Sequence, residues 1–110
     1  MNADSAVLQV PAAEVPADAL VLDVREADEW EAGHVPGALH IPLRELGARY
    51  LEIERASAVY VICRSGQRSD RAARALAGAG WYAHNVADGM IGWQAAGRPM
   101  TSESGRPFVA

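Results

Sequence analysis

Lysine is absent from this chain, and all ten basic residues are arginine. Fourteen acidic residues outweigh them and leave a formal net charge of −4. An acidic chain is a poor candidate for nucleic-acid binding, which depends on basic patches. Cysteine occurs once, at Cys63. A disulfide framework of the kind that staples small secreted domains is therefore excluded. No stretch approaches eighteen apolar residues, so no helical membrane span is expected. The opening MNADSAVLQV lacks the basic and apolar regions of a signal peptide. Together these absences lead to the expectation of a cytoplasmic, reducing setting in which a lone thiol stays available.

What is present is ordinary for a globular domain. The 110 residues suffice for one domain, half of them are hydrophobic, and 22% are charged. The segment AVLQV (6–10) reads as a short strand, and PAAEV, opened by Pro11, as a short helical piece. The near-continuous apolar run ALVLDV (19–24) reads as a buried parallel strand. EADEWEAG (26–33) reads as an acidic helical turn stopped by Gly33. HVPGALHIP is irregular, with a short extended part at 38–41. Residues 43–55 are expected to form a helix weakened at Gly47. VYVIC (59–63) is the second strong buried strand. SDRAARALAGAG (69–80) is expected to be a helix with Ser69 as N-cap and a core stripe of Ala72, Ala73, Leu76 and Ala79. YAHNV (82–86) reads as a weaker strand, Asp88-Gly89 as a turn, and MIGWQAAG (90–97) as a short helix. Trp30 and Trp93 read as core. The domain is expected to span 1–100, with 101–110 a polar, mobile tail. Strands alternating with helices predict an α/β fold, a parallel sheet with helices on both faces.

The local chemistry centres on CRSGQRS (63–69). Cys63 ends an apolar strand, where sites form in open α/β sheets. The loop after it leads into a helix whose first N–H groups lack intrahelical partners. Gly66 permits a left-handed turn that brings loop amides toward a common centre. A sulfur there would be held as thiolate, with its pKa drawn well below the usual value near 8.5. Arg64 and Arg68 flank the loop and could fork onto anionic oxygens. Against this stands the plain packing role of a buried strand-end cysteine. Arg71 and Arg74 read as a solvated face, with Asp70 pairing Arg74 at i,i+4. Asp23 and Arg25 read as a loop-fixing pair. His34, His40 and His84 show no metal-ligand spacing and read as hydrogen-bonded structural histidines.

Three blocks carry a family resemblance. LDVREADEWEAGHVPGALHIPL (22–43) resembles the N-terminal signature of rhodanese-like domains, CRSGQRS their active-site loop, and NVADGMIGWQAAGRPM (85–100) their C-terminal signature. They occur in family order over almost the whole chain except the tail. One departure is Asp88, which stands where the family often has the first of two glycines; Asp tolerates left-handed backbone better than most residues. The resemblance implies a central five-stranded parallel sheet with helices on both faces, and thiosulfate sulfurtransferase chemistry. Cys63 would be the nucleophile and sulfur carrier. Arg64, Ser65, Gly66, Gln67, Arg68 and Ser69 would form the substrate-binding loop. The sulfur would go to cyanide or a thiol, with no metal or organic cofactor required. An external acceptor, and possible sulfur-relay proteins, would be the partners, with neither nucleic acid nor membrane involved. Two alternatives stay open: a non-catalytic binding module in sulfur trafficking, and a phosphatase or arsenate reductase relative. The latter enzymes place five residues between Cys and Arg, whereas Arg68 follows Cys63 after four.

Overall fold

The structure is a computed structural model that describes residues 7–103 and 105–110. Five strands form one parallel sheet: β1 (Leu8–Val10), β2 (Leu20–Asp23), β3 (Leu39–His40), β4 (Val59–Ile62) and β5 (Ala83–Val86). Their order is β1-β5-β4-β2-β3, with β4 central. Among the described residues four α-helices accompany them: α1 (Ala27–Ala32), α2 (Leu46–Arg49), α3 (Gln67–Gly78) and α4 (Gly89–Ala95).

The apolar runs of β2 and β4 are continuous because both sheet faces are covered. Side chains alternate across a strand. Val59, Val61 and Cys63 therefore share one face and pack with Ala72, Ala73 and Leu76 of α3 and Leu46 of α2. Ile62 points the other way, with Val21, Val86, Met90 and Trp93 of α4. This alternation aims Cys63 at the start of α3, the element that follows it in the chain.

Several expectations are corrected. The first strand begins at Leu8 in the structure; the expected strand included Ala6, which lies outside the described residues. The helix expected over 43–55 is broken into a 3-10 turn at Leu43–Glu45, one turn of α2 and a second 3-10 turn at Tyr50–Glu52. Its mixed three- and four-residue spacing already lacked one clean helical period. Ala79 is exposed as the C-cap of α3, so the core stripe ends at Leu76. Trp93 is buried, but Trp30 is only half-buried and stacks between His34 and His40, with ring centroids 3.5 and 4.6 Å away.

The described part of the segment after 100 lies back against the domain. His34 and Thr101 exchange backbone hydrogen bonds of 2.9 Å, and the Phe108 N–H donates to Ala32 O at 3.0 Å. Val109 packs against the second apolar cluster. These contacts are backbone hydrogen bonds and one apolar side chain in a mostly polar stretch, which is why composition alone reads it as a mobile tail.

Candidate active site

Cys63 follows the last residue of β4 and is 1% exposed. Its Sγ accepts the Gly66 N–H at 3.1 Å and the Ser69 N–H at 3.3 Å, and lies 3.2 Å from Ser69 Oγ. Burial pushes the thiol up. Hydrogen bonds from the Ser69 hydroxyl and from the N–H groups of Ser69, Gly66 and Ser65 outweigh it, so the thiol sits below its ordinary value.

The inward set of the Ser65 amide follows from where the Arg64 carbonyl goes. In a trans peptide the C=O and N–H point to opposite sides. The first amides of α4 take carbonyls of the loop: Met90 N–H donates to Cys63 O at 2.8 Å and Ile91 N–H to Arg64 O at 3.1 Å. With the Arg64 carbonyl turned toward α4, the Ser65 N–H of the same peptide turns toward the sulfur. Two glycines make this packing possible. Gly66 has φ +99°, and a Cβ there would lie 2.1 Å from Ala87 O. Gly89 has φ +57°, and its Cβ would lie 2.4 Å from Arg64 O.

Asp88 does not adopt the left-handed conformation; its φ is −100° and Gly89 carries the positive φ. The aspartate instead accepts the Ala12 N–H at 2.7 Å, tying α4 to the turn after β1. The turn beneath the loop thus takes its left-handed residue at Gly89, with Asp88 at an ordinary negative φ.

The helix start is corrected as well. α3 opens at Gln67 with Gly66 as N-cap, and Ser69 lies in its first turn, fully buried. Since Gly66 has no side chain to cap with, the sulfur of Cys63 takes the Ser69 N–H in its place. Among the loop residues named from sequence, Ser65, Gly66 and Ser69 converge on the sulfur. Gln67 is exposed. Arg68 binds Glu29 bidentately, at 2.7 and 2.9 Å. Arg64 is exposed, and its Nε donates to Ala110 O at 2.9 Å.

Glu29 and Asn85 escape the sequence reading. The Arg68 hydrogen bonds hold the Glu29 carboxyl below its usual range, overcoming partial burial. In turn the Glu29 hydrogen bond raises Arg68, helped by the negative charges of Glu29, Cys63 and Asp23 nearby. A carboxylate on the helix after β2 is a fair signal, but which arginine it meets is a matter of tertiary packing. Asn85 is 2% exposed on β5, where its Oδ1 accepts the Ser69 hydroxyl at 2.6 Å. A polar residue inside an expected strand was the available clue.

Asp23 and Arg25 are a fully buried pair closed at 2.7 Å. Arg25 also donates to Gly33 O at 2.8 Å, so the pair fixes the path around α1 as expected. The Asp70–Arg74 pair forms at 3.0 Å. His34 and His40 hydrogen-bond to Trp30 O and Arg25 O, both at 2.8 Å. His84 departs from its expected role: its buried Nδ1 has no hydrogen-bond partner among the described residues. No cluster of three or more His, Cys, Asp or Glu side chains among them is placed to hold a metal ion. No helix among them is long and apolar enough to cross a membrane.

Comparison with known proteins agrees with the fold. The profile of the rhodanese-like domain matches residues 9–96. The "Putative sulfur carrier protein YrkF" of Bacillus subtilis (strain 168) is 45% identical over 74 residues, which cover 66% of this chain and 40% of YrkF. The chain thus spans less than half the length of that relative. A protein named "Sulfurtransferase" from Allochromatium vinosum is 34% identical over 89 residues, covering 80% of this chain and 83% of its own. The crystal structure of a rhodanese-related protein from Thermoplasma volcanium superposes with a TM-score of 0.82 at 31% identity, over 87% of this chain and 99% of that one. With the profile spanning most of its length, this chain belongs to the family of rhodanese-like domains.

Proposed function

We propose that the protein is a sulfurtransferase in which Cys63 carries a sulfane sulfur as a persulfide. The observation that carries this reading is the convergence of the Gly66 and Ser69 N–H groups on Cys63 Sγ at the end of β4. Such donors stabilise a sulfur anion, and the thiolate is the nucleophile. The Cys63 thiolate attacks the outer sulfur of thiosulfate or a similar donor. A new S–S bond forms, the S–S bond of the donor breaks, and sulfite leaves with the bonding electron pair. The thiolate of an external acceptor, or cyanide, then attacks the outer sulfur of the persulfide and restores the Cys63 thiolate. Two covalent half-reactions predict ping-pong kinetics.

Cys63 is the only cysteine of these 110 residues, so an acceptor thiol lies outside them. That fits a sulfur-relay partner in a reducing, cytoplasmic setting. Arg68 supplies positive charge beside the sulfur, tempered by Glu29. Arg64, at the exposed rim, is the cation for an arriving anionic donor. Gln67 and the Ser65 side chain line the mouth of the loop.

The near-complete cover over Cys63 favours one alternative, a module that docks to sulfur-trafficking partners without turning over. The mass of the intact, reduced protein after thiosulfate treatment separates the readings. Sulfur transfer requires a gain of one sulfur atom that is absent in Cys63→Ser. No gain in the folded wild type overturns the enzymatic reading.

A further inference from the structure

The hydroxyl of Ser69 has one proton and two neighbours able to accept it. Asn85 Oδ1 lies at 2.6 Å and Cys63 Sγ at 3.2 Å. Which of them receives it is decided outside the pair. The Asn85 amide nitrogen donates to Gly66 O at 3.0 Å and to Gln9 Oε1 at 2.8 Å. Gln9 is itself oriented, because its Nε2 donates to Asp70 Oδ1 at 2.8 Å and a carboxylate only accepts. Asp70 is kept ionised: hydrogen bonds from Arg74 first, then Gln9, hold its carboxyl below the usual range. A flipped Asn85 would set its oxygen against the oxygens of Gly66 and Gln9. The amide is therefore locked with Oδ1 toward Ser69.

This lock gives the chain a direction. With Cys63 as a thiol, every group is satisfied: S–H donates to Ser69 Oγ, and Ser69 O–H donates to Asn85. With Cys63 as a thiolate, the sulfur has lone pairs only, and Ser69 must turn to serve it. The main-chain N–H groups of Gly66 and Ser69 already point at the sulfur and have no second acceptor to turn from.

We propose that Asn85 is a positioning residue whose carbonyl oxygen competes with the Cys63 sulfur for the single hydroxyl proton of Ser69. The hydroxyl turns onto sulfur only when the sulfur is charged, because a charged acceptor makes the stronger bond. That turn leaves the buried Asn85 oxygen unpaired, a cost that falls on the thiolate alone. Asn85 thereby limits how far the loop strengthens the thiol as an acid. A less stabilised thiolate is a better nucleophile, since nucleophilicity falls as pKa falls. The competition lets one loop hold an anion without blunting its attack.

Other charges face this group. Arg68 of α3 is compensated by Glu29 of α1, the Asp23–Arg25 pair follows β2, Asp70 is bonded to Arg74, and Arg64 stands at the rim. None of them is altered in the test.

The inference rests on Cys63 working as an ionised sulfur. Alkylation reports ionisation whether or not a donor loads the protein, so its failure is separable from failure of persulfide formation. The experiment is the pH dependence of Cys63 alkylation by iodoacetamide in wild type, Asn85→Leu, Ser69→Ala and the double variant. Asn85→Leu is expected to move the midpoint down by about one pH unit, a tenfold stronger acid. Ser69→Ala is expected to move it up. In the Ser69→Ala background, Asn85→Leu is expected to change little. Asn85→Ala, which removes the acceptor without bulk, replaces the leucine variant if that one does not fold, with the same expected direction. An unchanged or raised midpoint on loss of Asn85 overturns the proposal. So does an equal downward shift when Ser69 is already alanine, since a merely structural asparagine would act without the hydroxyl.

Discussion

The Met90 amide donates to the Cys63 carbonyl across 2.8 Å, so the fourth helix holds the loop from below while the third closes it from the front. With the Ile91 N–H on Arg64 O, the contact sets the orientation of the first two peptides of the loop. The peptide that turns its Arg64 carbonyl to α4 presents its Ser65 N–H to the sulfur.

Gly89 is the point where this arrangement is most exposed to substitution. Gly89→Ala would force a Cβ to within 2.4 Å of Arg64 O at a φ of +57°. Strain of this kind costs about 1–3 kcal/mol before the clash is counted. Urea unfolding is expected to show a loss of at least that size, with slower alkylation of Cys63 at neutral pH. Wild-type stability and reactivity would mean that α4 does not shape the loop.

Glu29 restrains the charge of Arg68. Glu29→Gln is expected to leave the fold intact, since a half-exposed pair contributes about 1 kcal/mol or less. The released guanidinium should favour anionic donors, lowering the KM for thiosulfate by up to about fivefold. Steady-state kinetics at low ionic strength checks this. An unchanged KM would show that Arg68 has no part in donor capture.

The buried Asp23–Arg25 pair should behave in the opposite way. Asp23→Ala strands a guanidinium that is 0% exposed, with an expected cost of about 3–5 kcal/mol. Chemical denaturation is the test. A change below about 1 kcal/mol would mean that Arg25 finds other partners on its own.

The lowered thiol pKa also couples folding to pH. An acid whose folded pKa is depressed stabilises the fold when ionised in both states. Its contribution is complete above the ordinary thiol value, near pH 8.5, and is lost as pH falls through the folded pKa. The stability advantage of wild type over Cys63→Ser should therefore widen as pH rises through neutrality toward about 9, under reducing conditions. A difference that is flat over that range contradicts a depressed pKa.

Much of this was legible from the chain. The two continuous apolar runs became β2 and β4 because burial on both faces leaves a direct mark on sequence. The cysteine at the end of one run, followed by Gly66, located the loop. The failures share a cause. Ser69 looked like an N-cap by residue type, yet the sulfur of a preceding strand took that role. Arg64 and Arg68 looked like free cations, yet a carbonyl near the end of the chain and a carboxylate on α1 meet them in space. The 43–55 segment fragmented because its apolar residues follow no single period. Asn85 was hidden for the same reason as Glu29: its partners lie in other elements, from the Ser69 hydroxyl to Gln9 of β1.

The most direct test is the ionisation midpoint of Cys63 in the unmodified protein, read from alkylation rate against pH under reducing conditions. The account expects a single transition clearly below the ordinary thiol range near 8.5. A midpoint at or above that range would contradict it, because burial would then have outweighed every donor placed around the sulfur.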